Sequence, residues 1–319
     1  MRTYLDCIPC FFKQALEAVR ITKVGENLQK KVLDELAKAV SKFPLTSSPP
    51  EMGKIIYGLV RKITQQQDPY AEIKKRSNKL ALGIYSKLKR KVSHAQDRLL
   101  MAVELAIAGN IIDYGVNSFS HRKEEAGVKV GGSLDIEAEL TRILNQESKL
   151  VKRENERIFN YSQFKVELKN ANHILYLADN AGETVFDRIL LEEIKRVEQD
   201  KKITYAVRGG PIINDALLED AYECGIDQLA EVISSGSDAP GTILSLCSQE
   251  FLKIYKKADM IISKGQGNFE AMSHLSRPVF FLFMAKCPVV AKDVSTICKL
   301  PIDKGCKVGD IILLYHGGK

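Results

Sequence analysis

The chain has 319 residues, 45% of them hydrophobic, and 47 Lys and Arg against 40 Asp and Glu give a formal charge of +7. That length exceeds what one apolar core usually serves, so two domains are expected. No apolar run approaches the roughly 20 residues that cross a bilayer, the start lacks the apolar stretch of a secretion signal, and seven cysteines in so long a chain make no disulfide framework; a cytoplasmic protein is expected.

Residues 1–160 read mostly as helices. "CIPC" places Cys7 and Cys10 just ahead of a segment in which Phe11, Ala15, Ala18 and Val19 share a face. A Cys-x-x-Cys before a helix can lower a thiol pKa or supply half a metal site, yet no second pair completes four zinc ligands. The pair is therefore either a redox-sensitive auxiliary or merely structural. "LQKKVLDELAKAVSKF" repeats its apolar positions with a helical period, and "PLTSSPP" at 44–50 ends it. Between 74 and 91, "KKRSNKLALGIYSKLKRK" holds eight basic residues and no acid, with Leu80, Ile84 and Leu88 every fourth position. That pattern describes an amphipathic helix with a solvated basic face. Net charge of this kind speaks to solubility first, and no nucleic-acid motif accompanies it, so neither nucleic acid nor membrane is expected as a partner. "MAVELAIAGNIIDYG" is an apolar helix ending in a polar cluster, and "LDIEAELTRIL" is a second amphipathic segment.

From about 165 the period changes. "HILYLA", "ITYAVR", "EVIS", "DMIIS", "PVFFLFM" and "IILLYH" alternate with helical stretches, which predicts an α/β fold with a doubly wound, mainly parallel sheet. The division expected is a helical domain over 1–160 and an α/β domain over 161–319.

Several of these strands end in residues that a plain core would not place there. Asp179, Asn180, Gly182 and Glu183 follow the first; Asn214 and Asp215 follow the second; "SGSDAPGT", "KGQGNFE" and Lys286 follow others. In a parallel sheet these loops share one edge, where open α/β sheets bind their ligands. Carboxylate and amide oxygens suit Mg²⁺ or Mn²⁺, and lysines beside glycine-rich turns suit phosphate. Each motif alone also reads as a helix cap or turn; their recurrence at strand ends favours a site. "GQGNFE" has Glu270 where a dinucleotide fingerprint wants Gly or Ala, and Ala181 stands where an aspartyl-phosphatase places its second acid. His94, His121, His173, His274 and His316 show no paired spacing and are not expected to bind metal.

As a set, "ADNAGE", "GGPIIND", "SGSDAPGT", "SKGQGNFE" and "FFLFMAKCPV", with "CIPC", "DPY" at 68–70 and "GNIIDYG" at 109–115, resemble the metal-dependent damage-control phosphatases, long catalogued as a domain of unknown function. The Cys-x-x-Cys resembles the prokaryotic branch. The resemblance implies a helical amino-terminal domain on an α/β domain and hydrolysis of phosphate monoesters of small, damaged or surplus metabolites with a divalent ion (Mn, Ni, Co or Mg). It further implies that Asp179, Asn180 and Asp215 hold the metal, with Asp179 and Asp215 catalytic. Asn214, Lys264, Gly265, Asn268 and Lys286 stand at its substrate or phosphate positions; Cys7, Cys10, Asn110, Asp113 and Glu183 are auxiliary candidates. Either water or Asp179 serves as nucleophile, and the alternative of another class is a phosphometabolite or nucleotide-binding protein without turnover.

Overall fold

The computed structural model describes residues 1–109 and 157–317; Asn110, Asp113, the rest of "GNIIDYG", His121 and the "LDIEAELTRIL" segment lie outside them. Six strands among the described residues form one sheet: β1 (His173–Leu177), β2 (Lys202–Val207), β3 (Glu231–Ser234), β4 (Met260–Lys264), β5 (Val279–Met284) and β6 (Ile311–His316). Their order is β3-β2-β1-β4-β5-β6. The first five run parallel and β6 returns antiparallel to β5, so the sheet is mainly parallel, as the alternation of strands and helices predicts. The chain winds outward from β1 through β2 and β3, then crosses to β4 on the other side of β1. That reversal opens a crevice at the carboxyl ends of β1 and β4.

The sheet is buried on both faces because its central strands carry apolar residues at consecutive positions, not at alternate ones. Ile174 and Tyr176 of β1 join one core with Ile262, Phe280 and Leu282, while Leu175 and Leu177 join the other with Ile261, Phe281 and Phe283. The first face is covered by α4 (Ala71–Ser93), α5 (Arg98–Ala108), α6 (Tyr161–Asn170) and α7 (Glu183–Val197). Over the second lie α9 (Gln249–Lys257), α10 (Gln266–Met272) and α11 (Pro288–Ile297), while the short α8 (Leu218–Glu223) follows β2.

A third core gathers Phe11, Ala15, Val32, Leu36, Met52 and Ile56 of α1 (Cys7–Ile21), α2 (Glu26–Val40) and α3 (Pro49–Thr64), with Ile212 reaching in from the β2–α8 loop. The apolar cores therefore do not divide at residue 160, since α4 and α5 pack on the sheet itself. "SSPP" starts α3 by a physical device: Ser48 N donates to Glu51 Oε1 at 2.8 Å, closing a capping box. Arg61 of α3 then reaches Asp238 of "SGSDAPGT" at 3.0 Å, with Lys54 on the same carboxylate, which ties the helical region to the sheet edge.

The basic helix is not solvated throughout. Lys74 is buried and pairs with Asp68 of "DPY" at 2.8 Å, and Asn78 is fully buried. Among the described residues no helix is long and apolar enough to cross a membrane.

Candidate active site

Asp179 and Asn180 follow β1, and Asp215 lies in the loop after β2, 35 or so residues away in sequence. Backbone hydrogen bonds bring them together. Asn180 and Asp215 face one another in an isolated antiparallel bridge, with Ala216 N donating to Asp179 O and Ala181 N donating to Asn214 O, both at 2.8 Å. Opposed residues of such a bridge project to the same side, so the Asn180 amide and the Asp215 carboxylate meet at the crevice; the Asp179 carboxylate is brought beside them at Arg208, which lies 3.8 Å from Asp179 Oδ1 and 2.6 Å from Asp215 Oδ2. Asp179, Asn180 and Asp215 are 8%, 6% and 3% exposed.

Burial, and then the neighbouring Asp215, push the Asp179 carboxyl up to about 7, against the pull of Lys286, Arg208 and Lys264. Asn180 Nδ2 donates to Glu183 Oε1 at 2.8 Å and to Asp179 Oδ2 at 3.2 Å. Its nitrogen is thus committed to Glu183 and Asp179. Glu183 opens α7, where its charge meets the helix dipole, although burial raises its pKa. Gly182 precedes it at φ +80°, and its N donates to Asn78 Oδ1 at 2.7 Å. A Cβ there would come within 2.9 Å of Ser77 Cβ, so the turn is confined by α4 as well as by its own backbone. Ser77 Oγ is buried beside this turn without a partner among the described residues.

The loop after β4 closes the other side of the crevice. Gly265 has φ +83°, and a Cβ on it would lie 1.9 Å from Asp179 Oδ2. Gly265→Ala should therefore displace the Asp179 carboxylate, and if the cluster carries turnover, ångström-scale misplacement should cost it about a hundredfold; an activity assay with a circular-dichroism control checks it.

The other candidates divide by what holds them. Asn268 is saturated: Nδ2 donates to Lys264 O at 2.7 Å and Ala178 O at 3.1 Å, while Oδ1 accepts from Thr242 N at 2.7 Å and Thr242 Oγ1 at 2.8 Å. It fastens strand-end loops together instead of offering its amide to a ligand. Lys264 is 1% exposed, and its ammonium donates to Asp187 Oδ1 at 2.8 Å and Glu183 Oε2 at 3.1 Å. Burial works against that charge, but Asp187 and Glu183 outweigh it and hold the ammonium above its usual range. The sequence places Lys264 among the phosphate positions; in the structure its ammonium is paired with Glu183 and Asp187. Lys286 at the end of β5 is exposed, and its charge lowers both Asp179 and Glu183. Asn214 is buried and supplies the bridge carbonyl.

Sequence reasoning missed Arg208, the last residue of "ITYAVR", which pairs with Asp215 at 2.6 Å while 3% exposed. A lone Arg before two glycines carries no local signal of burial. Also missed were Asn78, hidden in the basic helix, and Asp187 on α7, which accepts from Tyr176 and Tyr205 hydroxyls at 2.7 and 2.8 Å.

Cys7 and Cys10 fall in the first turn of α1, half-buried and exposed respectively. Burial pushes the Cys7 thiol up, which opposes the activated thiolate that a reactive pair would need. Among the described residues no three His, Cys, Asp or Glu side chains are gathered to hold a metal. The donor set on offer is Asp179, Asp215 and the Asn180 amide, all hard oxygens, and that chemistry fits a magnesium-type divalent ion with further positions left to water and substrate.

A family model for the damage-control phosphatase ARMT1-like domain matches residues 3–296. The chain belongs to that family. Among the ARMT1-like damage-control phosphatases it is similar to one from Pyrococcus horikoshii, with 34% identity over 92% of this chain and 94% of the relative, and to one from Archaeoglobus fulgidus, with 33% identity over 96% of each. An uncharacterized protein of Methanocaldococcus jannaschii is 36% identical over 97% of this chain and 94% of its own. The crystal structure of a DUF89 family protein from Pyrococcus horikoshii superposes with a TM-score of 0.80 at 32% identity, covering 99% of both chains. The names borne by these damage-control phosphatases support a phosphatase role in general.

Proposed function

We propose that the chain hydrolyses phosphate monoesters of small phosphorylated metabolites with a divalent ion held by Asp179, Asn180 and Asp215. The observation that carries this reading is the backbone bridge between 179–181 and 214–216, which gathers three oxygen donors from two loops at the crevice beside β4. When bound, the ion would supply charge neutralisation and orientation of the phosphoryl group.

The chain's own residues do the rest. Asp179 and Asp215 offer anionic oxygen, and Glu183 turns the Asn180 amide so that its oxygen is the donor. Lys286, exposed at the mouth, meets the phosphoryl oxygens as a fixed positive charge. Lys264 holds Glu183 from below, a supporting contact that orients a ligand through its neighbour. Burial of the carboxylates keeps bulk solvent from surrounding them, so each charge is less screened than it would be in water. Attack in line with the ester falls to water or to Asp179.

A dialysed, chelator-treated sample assayed with a chromogenic phosphate ester tests this. Activity should vanish on chelation and return with Mn²⁺, Co²⁺, Ni²⁺ or Mg²⁺. Turnover indifferent to chelation would refute the metal, and absence of turnover from a protein that binds the esters would leave a sensor in place of an enzyme.

A further inference from the structure

Arg208 is not accounted for by the chemistry above. It sits at the end of β2, 3% exposed, and its backbone N donates to Ala216 O at 3.0 Å, so the loop carrying Asp215 doubles back over it. Its guanidinium touches four separate segments. Nε donates to Asp215 Oδ2 at 2.6 Å, Nη1 to Thr242 Oγ1 at 3.3 Å and Nη2 to Asn268 Oδ1 at 3.2 Å. Nη2 also stands 3.8 Å from Asp179 Oδ1.

We propose that Arg208 is the positioning residue of the metal site: by taking one oxygen of Asp215 and standing against one oxygen of Asp179, it fixes both carboxylates for a divalent ion. This deepens, and rests on, the reading of the site as a metal-dependent phosphatase. Two buried carboxylates side by side repel, and a resident cation keeps them in place when no ion is bound. A planar guanidinium can bind one carboxylate, a hydroxyl and an amide oxygen in fixed directions, which a lysine ammonium on a flexible stem cannot. Groups that orient metal ligands from behind commonly contribute tenfold to a hundredfold to metal affinity.

As a cation beside both carboxylates, Arg208 also repels an incoming ion, so if it acts through charge alone, removing it should tighten metal binding. Geometry predicts weakening, whether or not the charge is kept.

Mn²⁺ binding to the chelator-treated protein, followed by titration calorimetry and by the electron-spin signal of the free ion, separates the two. Arg208→Lys and Arg208→Met should each weaken Mn²⁺ by about tenfold or more, with lysine giving no rescue. Thr242→Val, which loosens the guanidinium at Nη1 without altering any charge, should weaken Mn²⁺ in the same direction and carries the test if Arg208→Met does not fold. Parent-like binding by Arg208→Lys, or tighter binding by Arg208→Met, overturns the positioning role while leaving the metal site standing. A parent protein that binds none of Mn²⁺, Co²⁺, Ni²⁺ or Mg²⁺ overturns the metal reading and this inference with it.

Discussion

Asp179→Asn and Asp215→Asn should each lower metal-dependent phosphatase turnover by about a thousandfold or more while leaving the protein folded. Each change removes one of two anionic donors, and loss of a single preorganised electrostatic group already costs about a hundredfold to a thousandfold. Neither side chain belongs to an apolar core, so the sheet itself should persist, although Asp215→Asn also strands the buried Arg208 cation and should lower the unfolding midpoint. Parent-like rates from folded variants would reduce the cluster to a helix cap and turn.

The Asp179 variant carries a second signature, readable without substrate. In the metal-free protein the Asp179 carboxyl is raised from 3.8 to about 7, chiefly by burial and then by Asp215. Between those values the folded chain holds a proton that the unfolded chain has released, so stability falls as pH rises through the interval. This contribution is complete below 3.8 and lost above about 7. Asp179→Asn removes it. Denaturant melts in chelator should therefore show the variant gaining on the parent from pH 4 to pH 7, with the gap constant beyond. A gap that narrows over that interval contradicts the raised pKa.

How much of this was legible in the sequence depends on whether the signal is local. Unbroken apolar runs such as "ILYL" announce strands buried on both faces, and all six appear where the pattern puts them. Strand direction is not in such a run: "IILLYH" looks like its neighbours yet lies antiparallel. Asp179, Asn180 and Asp215 stood out because polar residues crowd a strand end, and a backbone bridge does unite their loops. The roles of Asn268 and Lys264 were not legible. An Asn or Lys after a strand has the same local surroundings whether it faces a ligand or a buried partner, and here the deciding partners sit on other segments, Thr242 for the one and Asp187 for the other. Lys74 and Asn78 were masked by composition, because a helix with eight basic residues conceals the few polar side chains it turns inward.

Lys264→Ala should be the most destabilising of these substitutions, with its main effect on folding and only an indirect one on phosphate. A phosphate-gripping lysine would be missed mainly in binding: a charge-assisted hydrogen bond is worth roughly 1.5 to 3 kcal/mol, and its loss would leave stability alone. Here the ammonium is 1% exposed between Glu183 and Asp187, and Tyr176 and Tyr205 spend their hydroxyls on Asp187 as well. Removing one member of a buried ion pair costs about 3–5 kcal/mol because the remaining charge is stranded, a large share of the roughly 5–15 kcal/mol by which a domain is stable. The unfolding midpoint should drop accordingly. Inhibition by orthophosphate, measured on the folded fraction, should weaken less than it does in Lys286→Ala, whose loss should fall on phosphate more than on stability. Adding Asp187→Asn to Lys264→Met should restore part of the lost stability, since the stranded charge is then gone and the two changes couple. A Lys264→Ala protein as stable as its parent but blind to phosphate would return Lys264 to the substrate side of the crevice and leave Glu183 to be held by something else.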